Sequence, residues 1–406
     1  MDYGEALKLL RLYGQEHLLE YYGELDDCQK NGLLKQIGEL DLSVLDDLKS
    51  NNNKEQGKLS PIDALSVNEI KSRSNEFEKI GLSAIKAGKV AAVLLAGGQG
   101  TRLGWNAPKG TFNIGVNKTL SIFACQFNNL LKVAKKAGAY PHVFVMTSTV
   151  NDGQTKSFFK QNSYFGYEPE KIHFYVQKTA PAIDKSGKIL LEEKHKIAVT
   201  PNGNGGWYSS LSESECGKIV DEEGIEWLNV YGVDNVLQKI CDPVFVGATI
   251  KSGLNSSGKV VKKAAPDEKV GVLCKEDGLP TVVEYYELPE TFRTETDLEG
   301  ELLYKYGVIL NYLFKVEKLK EIGAAKLPYH LALKKVACVQ GGKKVIPDTP
   351  NAYKLETLAV DIVKLMGSCL GFEVVRNEEF APVKNAEGVD SVQTARELLK
   401  LNGIEI

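Results

Sequence analysis

A cluster of glycines in this chain is followed closely by two cations. Gly97, Gly98 and Gly100 come directly after an apolar run, and the two cations are Arg102 and Lys109. Glycine lets a ligand approach backbone N–H groups closely, and Arg and Lys side chains bind phosphate oxygens. The combination predicts a polyphosphate site at this loop.

The glycine segment matches neither of the two common nucleotide-binding fingerprints. It lacks the G-x-x-x-x-G-K-[ST] order of a P-loop, and Leu103 occupies the third glycine position of G-x-G-x-x-G. The alternative interpretation is a tight turn between a strand and a helix that binds nothing. The cations beside the glycines favour the phosphate site.

A second polar segment, residues 200–208, contains three glycines and two asparagines ahead of a predicted helix. Asn202 and Asn204 could bind the edge of a base or a sugar, because a carboxamide both donates and accepts hydrogen bonds. An asparagine-rich surface turn explains the same pattern equally well.

A third candidate is Asp234, which ends the apolar run at residues 227–233. Ligands of open α/β sheets lie at the carboxyl ends of the strands, and a carboxylate there can hold Mg²⁺ against substrate phosphates. Asp234 could also cap a helix predicted over residues 235–240. The two roles are compatible with each other.

Composition and charge are those of an ordinary globular protein. The chain has 406 residues, of which 43% are hydrophobic and 25% charged. Its 50 basic and 53 acidic residues give a net charge of −3, which argues against a nucleic-acid scaffold. Seven cysteines without a C-x-x-C pair predict neither a disulfide framework nor a zinc ribbon.

We expect a cytoplasmic protein with no membrane partner. The first residues show no signal-peptide pattern, and the longest clearly apolar run, Val90–Ala96, is far too short to span a bilayer. The odd cysteine count favours a reducing compartment. The five histidines are scattered, and His142 and His173 flank predicted strands, so a structural role is favoured for both.

The alternation of apolar runs with amphipathic segments predicts an α/β fold with a doubly wound, mixed and mostly parallel sheet. We expect a helical N-terminal unit at residues 1–88, a central catalytic domain at 89–384 and a short helical tail at 385–406. Finer predictions are strands at 90–96, 142–146, 172–176 and 227–233, an antiparallel insertion at 259–287, a polar loop at 51–57, and helices at 154–161, 352–367 and 391–402.

Taken together, these segments resemble the eukaryotic UDP-N-acetylglucosamine pyrophosphorylases, which are nucleotidyltransferases on a Rossmann-like nucleotide-diphospho-sugar transferase fold. The family pattern L-x-x-G-G-x-G-T-R-L-G with a following P-K matches Leu94 to Gly104 and Pro108-Lys109. Further matches extend to residue 396, after which the family usually continues into another small domain. They are Phe165-Gly166, Leu190 to Glu193, Gly203 to Gly206, Val233 to Asn235, Asp242-Pro243, Val283 to Tyr285 and Thr394 to Arg396.

The resemblance implies a role for each matched position. Gly97 and Gly98 would hold the uridine, and Gln177 and Gly203 would bind the edge of the uracil. The phosphates would be bound by Arg102, Lys109 and Lys384. The sugar would be contacted by Asn204, Gly271 and Glu284. Asp234 would coordinate Mg²⁺, the expected cofactor.

The implied reaction is UTP plus N-acetylglucosamine 1-phosphate giving UDP-N-acetylglucosamine and pyrophosphate, by in-line attack on the α-phosphorus. UTP and the sugar phosphate are the expected partners, with no nucleic acid, and the chain is expected to be a monomer or a weak homodimer. Departures from the family concern the sugar side: Asn202 replaces an acid, Val308 an asparagine, and Leu358 and Val360 two aromatics. A uridylyltransferase for glucose or N-acetylgalactosamine 1-phosphate, or a non-catalytic UDP-sugar sensor, are the alternatives.

Overall fold

The computed structural model describes residues 1–46, 57–323, 325 and 327–406. The polar loop predicted at 51–57 lies outside these residues, except for Gly57. The chain divides into two compact units. The first unit comprises Met1–Gln56, Lys178–Gly206 and Lys326–Leu358, and the second comprises Gly57–Gln177, Trp207–Ala325 and Ala359–Ile406.

The α-helices of the described residues are short to medium in length. None of them is both long enough and apolar enough to cross a bilayer. They are α1 Tyr3–Leu12, α2 Asp27–Glu39, α3 Val67–Ser72, α4 Ser74–Lys86, α5 Ile122–Ala137, α6 Asp152–Gln161, α7 Trp207–Ser212, α8 Glu215–Glu222, α9 Pro243–Ser252, α10 Glu290–Thr294, α11 Val316–Ile322, α12 Ile362–Leu365, α13 Arg376–Glu379 and α14 Val392–Leu401.

The strands are distributed over both units. They are β1 Leu59–Ser60, β2 Ala64–Leu65, β3 Val90–Leu95, β4 Val143–Thr147, β5 Ile172–Val176, β6 Thr179–Pro181, β7 Ile183–Asp184, β8 Leu191–Glu193, β9 Lys196–Ile197, β10 Val199–Pro201, β11 Trp227–Gly232, β12 Ser256–Lys262, β13 Val272–Glu276, β14 Leu279–Val283, β15 Tyr306–Lys315, β16 His330–Lys334, β17 Cys338–Gln340, β18 Lys343–Val345, β19 Ala352–Glu356 and β20 Leu370–Glu373.

The second unit is built on an eleven-stranded sheet. Its main path is β2-β20-β12-β15-β11-β3-β4-β5, and five of the seven pairings along it are parallel. The two antiparallel pairings are those of β15, which also pairs with the hairpin of β13 and β14. The predicted fold class, an α/β fold with a mixed and mostly parallel sheet, is confirmed.

The central parallel strands bring their carboxyl ends to one edge of the sheet. β3, β4 and β11 are buried along their whole length, as expected of apolar strands covered on both faces. Leu95 of β3 lies beside both Gly232 and Met146, and Thr147 lies beside Val176. The segments that follow these four strands therefore emerge together, at what we call the carboxyl edge.

Two glycines let helices α4 and α9 pack in close contact. A methyl group at Gly81 would lie 1.9 Å from the carbonyl oxygen of Pro243, and one at Gly247 would lie 1.8 Å from that of Phe77. Helix α4 is thereby held in the second unit. Residues 57–88, expected in a separate N-terminal helical unit, belong with the sheet instead.

The first unit has its own core. Helices α1 and α2 begin with capping boxes at Asp2 and Asp26. Their buried leucines cluster with apolar side chains of the 178–206 segment and with Leu355. The strands of this unit form the three-stranded sheet β16-β19-β7 and three two-stranded pairs.

Two predicted helices are wrong. Residues 352–367 form strand β19, a 3₁₀ turn and the short α12, because β19 is paired on both sides, with β16 and β7. Residues 235–240 form turns, because Asn235 bridges to Pro382. Asp234 is therefore not the cap of a following helix.

Candidate active site

The loop after β3 contains one glycine with open space around its Cα and another that lies close to a side chain. Around Gly98 no atom lies within 4 Å of where a methyl group would stand, whereas a methyl at Gly97 would lie 2.7 Å from Gln177 Oε1. Gln177 follows β5, and its N–H donates to the carbonyl of Thr147 at 2.8 Å. The carboxyl edge thus brings together Gly97 and Gln177, the two residues to which the family resemblance assigns parts of the uridine.

The same loop folds back so that Lys109 lies next to the glycines. The Lys109 N–H donates to the carbonyl of Gly98 at 3.1 Å, and the Gly100 N–H donates to that of Ala107 at 3.0 Å. The buried Asn151 donates its Nδ2 to the carbonyl of Ala96 at 2.9 Å. These contacts fix the loop from two sides.

Asp234 and Lys384 are brought together by a second set of backbone contacts. The Val383 N–H donates to the Asp234 carbonyl at 2.8 Å. The buried Asn235 donates its Nδ2 to the carbonyl of Glu379 at 2.7 Å and accepts from the Ala381 N–H at 2.9 Å. The segment that ends in Lys384 is therefore fastened to the turn after β11.

Five charged groups form one electrostatic cluster at this edge. Burial lowers the pKa of Lys109 below its usual value. Asp234 and Asp390 oppose that shift. Lys384 and Arg102 add to it, because a second positive charge disfavours protonation. We call the group of Arg102, Lys109, Asp234, Lys384 and Asp390 the carboxyl-edge cluster.

Most charges of the carboxyl-edge cluster have no partner in the part of the chain that the structure describes. Within the described residues, Arg102, Lys109 and Asp234 make no side-chain hydrogen bond and no ion pair. Lys384 pairs with Asp390, its Nζ lying 3.1 Å from Oδ2. Cations without carboxylate partners are suited to bind a polyphosphate, because no internal ion pair has to break first.

Asp234 suits a bound Mg²⁺. In the part of the chain that the structure describes, no group of three or more His, Cys, Asp or Glu side chains could hold a metal ion. Mg²⁺ is commonly bound through one or two carboxylates, with substrate phosphates and water as its other ligands. A single unpaired carboxylate beside phosphate-binding cations fits that pattern.

The residues predicted on the sugar side of the second unit also lie together. A methyl group at Gly271 would lie 3.4 Å from Glu284 Oε1 and 3.4 Å from Val308 Cγ2. The N–H of Val308 donates to the carbonyl of Gly271 at 2.9 Å. Val308 thus presents methyl groups where a side-chain amide would offer a donor and an acceptor.

The other two predicted residues, Gly203 and Asn204, belong to the first unit. Gly203 has a φ of +85°, and a methyl group on it would lie 2.3 Å from the carbonyl oxygen of Thr357. The Thr357 N–H and Oγ1 both donate to the carbonyl of Asn202, and the Gly205 N–H donates to that of Thr357. Residues 202–205 therefore form a glycine-dependent loop tied to β19.

Sequence reasoning missed three residues of the carboxyl edge. Asn151 and Asn235 fix backbone segments, and Asp390 pairs with Lys384. Short polar residues within a few positions of the end of a buried strand are the available signal for Asn151 and Asn235. No such signal marks Asp390, because its pairing with Lys384 depends on how the loop between the two residues folds.

Comparisons with known proteins found relatives over most of this chain. Residues 43–402 match the family model described as UTP–glucose-1-phosphate uridylyltransferase. The chain is similar to UDP-N-acetylhexosamine pyrophosphorylase-like protein 1 of Homo sapiens, at 35% identity over 96% of this chain and 82% of that protein. It is 37% identical to UDP-N-acetylglucosamine diphosphorylase 2 of Arabidopsis thaliana, over 96% of this chain and 82% of that protein.

A solved structure extends the likeness to three dimensions. It is the uridine diphosphate N-acetylglucosamine pyrophosphorylase of Trypanosoma brucei in complex with an inhibitor. The TM-score is 0.84 at 28% sequence identity, over 98% of this chain and 84% of that one.

Proposed function

The chain belongs to the UTP–glucose-1-phosphate uridylyltransferase family, and on that premise we propose that it makes UDP-N-acetylglucosamine and pyrophosphate from UTP and N-acetylglucosamine 1-phosphate. The observation that carries the proposal is the carboxyl-edge cluster, in which two cations and one carboxylate have no partner among the described residues. The relatives named above supply the identity of the sugar.

The proposed reaction needs positioning and charge neutralisation more than it needs a proton acceptor. An oxygen of the sugar 1-phosphate attacks the α-phosphorus of UTP, a new P–O bond forms, and the bond to pyrophosphate breaks. Charge accumulates on the transferring and leaving phosphates, so preorganised cations stabilise the transition state. In this proposal Arg102, Lys109 and Lys384 bind those phosphates.

The remaining predicted residues orient the two substrates. Gly97 and Gly98 leave room for the nucleoside, and Gln177 binds the uracil edge. Gly271 and Glu284 contact the sugar. The roles that the family resemblance implies for Gly203 and Asn204, which belong to the first unit, stay predictions. Asp234 would hold Mg²⁺, which when bound offsets negative charge on the phosphates. The predicted cytoplasmic location and oligomeric state stay predictions.

The test is pyrophosphate release from UTP with a panel of sugar 1-phosphates, with and without Mg²⁺. We expect release with N-acetylglucosamine 1-phosphate that depends on Mg²⁺. Faster release with glucose or N-acetylgalactosamine 1-phosphate would favour the alternative that Val308 supports, because a methyl-lined wall gives no hydrogen bond to a sugar hydroxyl. A lack of release with every sugar would favour the UDP-sugar sensor.

A further inference from the structure

Asp390 holds Lys384 at two separate points. Its carboxylate Oδ2 lies 3.1 Å from the Lys384 ammonium nitrogen, and its carbonyl oxygen accepts the Lys384 N–H at 2.7 Å. The same carbonyl also accepts the N–H of Asn385 at 3.1 Å. One residue therefore fixes both the backbone and the charged end of Lys384.

The two acids of the carboxyl-edge cluster differ in this respect. The carboxylate of Asp234 has no partner within the described residues, and so it is available to a ligand. The carboxylate of Asp390 is committed to a cation, with the two side chains 27% and 37% exposed. A lysine ammonium has three donors, so Lys384 can keep Asp390 and still bind a phosphate oxygen.

The loop that presents Asp390 is closed and strained. Asp390 has a φ of +55°, in the left-handed region, which is unfavourable for a residue with a side chain. Asn385 donates its Nδ2 to the carbonyl of Val389 at 2.8 Å, and Ser391 then caps helix α14. Strained residues with surroundings that over-determine them tend to lie at functional sites.

We propose that Asp390 is a positioning residue, which holds the Lys384 ammonium where it meets the pyrophosphate portion of the substrate. This inference rests on the proposed function. A flexible lysine loses rotamer freedom when it binds a phosphate, and an ion pair already formed reduces that loss. Asp390 thus acts on the phosphates only through Lys384.

The test is a double-mutant cycle on the binding of inorganic pyrophosphate in the presence of Mg²⁺, measured by calorimetry. Asp390→Asn keeps the shape and the tolerance of a positive φ but removes the charge. We expect this variant to bind pyrophosphate about tenfold more weakly than the wild type. In the Lys384→Gln background, adding Asp390→Asn should change the affinity by less than about twofold.

The matched control is Asp277→Asn. Asp277, at the turn between β13 and β14, also has a positive φ, of +51°. Among the residues that the structure describes, its carboxylate accepts only from the Lys58 N–H. This control should bind pyrophosphate like the wild type. Asp390→Asn should also raise KM for pyrophosphate in the reverse reaction by about tenfold and leave KM for the UDP-sugar within about twofold.

Three outcomes would overturn the positioning role: unchanged or tighter pyrophosphate binding by Asp390→Asn, losses that add in the double variant, or a rise in both KM values together with a lower melting temperature. Failure of the proposed function gives a different pattern. If no sugar 1-phosphate supports turnover but the binding cycle shows coupling, the proposed function fails and the positioning role stands.

Discussion

The second unit contains two clusters of positive and negative side chains. They adjoin at Asp234 and Asn235, and they differ in whether their charges are paired. In the carboxyl-edge cluster, Arg102, Lys109 and Asp234 lack partners among the described residues. In the second cluster, the fully buried Lys259 Nζ lies 2.6 Å from Glu379 Oε2 and 3.0 Å from Asp242 Oδ2. We call this second group the buried lysine cluster.

The difference distinguishes charges that are available to a ligand from charges that stabilise the fold. Burial alone would lower the pKa of Lys259, but the two carboxylates outweigh it and raise that pKa above its usual value. The clusters are joined through Asn235, which follows Asp234 and donates to the carbonyl of Glu379. If the comparison is right, removing a paired charge costs stability, whereas removing an unpaired one costs activity.

Substitution in the buried lysine cluster should have the largest effect. Lys259→Met removes the buried cation that Glu379 and Asp242 share, and the half-exposed Lys239, 3.3 Å from Glu379 Oε1, replaces it poorly. We expect a loss of about 3–5 kcal/mol in the free energy of unfolding. Urea denaturation measures it. Lys262→Met is the matched control on the same strand, because its pair with Glu301 is exposed and should contribute little. Equal losses in the two variants would contradict the comparison.

Substitution in the carboxyl-edge cluster should reduce turnover and spare the fold. Asp234→Ala and Arg102→Ala each remove a charge that the proposed transition state needs, so kcat should fall by about 10²–10³-fold. Melting temperatures should stay at the wild-type value, since neither side chain makes a hydrogen bond or an ion pair within residues 1–46, 57–323, 325 and 327–406. A variant with wild-type turnover, or one that unfolds, would refute the assignment of that residue.

A smaller effect is expected from a substitution that changes the shape of the carboxyl edge and leaves its charge unchanged. Gly97→Ala places a methyl group 2.7 Å from Gln177 Oε1, so the Gln177 side chain must move. We expect KM for UTP to rise by about tenfold, since displacing a well-packed polar group costs at least 1 kcal/mol. Gly153→Ala in α6 is the control, because no atom lies within 4 Å of its new methyl group. Equal KM values for the two variants would argue against contact between UTP and Gln177.

The sequence predicted the carboxyl edge better than the rest of the molecule. Buried parallel strands are continuous apolar runs, and the residues that follow such runs must meet at one edge, which is why Gly97 and Asp234 could be placed. Gln177 was predicted from the family resemblance alone. Strand β19 was predicted as a helix because local pattern does not show its pairing with β16 or with β7, which is distant in sequence. The buried lysine cluster was not predicted, since nothing local shows that Lys259 is buried.

For a similar reason, the domain boundaries could not be predicted from local sequence patterns. Helices before residue 57 and helices α3 and α4 look alike in sequence, yet they belong to different units. The packing of α4 on α9 depends on Gly81 and Gly247, which lie far apart in the chain. Nothing in the sequence distinguishes these two glycines from the many glycines that end helices or lie in turns.

The smallest effect should come from a paired cluster at the opposite, amino edge of the parallel strands. His142 precedes β4, and its Nδ1 lies 2.9 Å from Nε2 of His173 in β5. Lys171 Nζ lies 2.9 Å from His142 Nε2, and Glu223 is within 3.5 Å of the same atom. Burial lowers the pKa of both histidines, and that of His173 falls to about 4, with the neighbouring His142 and Lys171 adding to the shift.

These two histidines should make stability depend on pH without touching turnover. Between pH of about 6.5 and 4 the unfolded chain binds protons at both positions and the folded chain resists them, so stability falls as the pH falls. His173→Gln removes one such group, and the slope of unfolding free energy against pH should become shallower in that window. Above pH of about 8 both histidines are neutral in either state, so the slopes should coincide. Because His142 and His173 lie at the edge opposite Asp234, the pH profile of kcat should be the same in wild type and variant. A shifted profile would mean that the histidine cluster at the amino edge also contributes to the reaction.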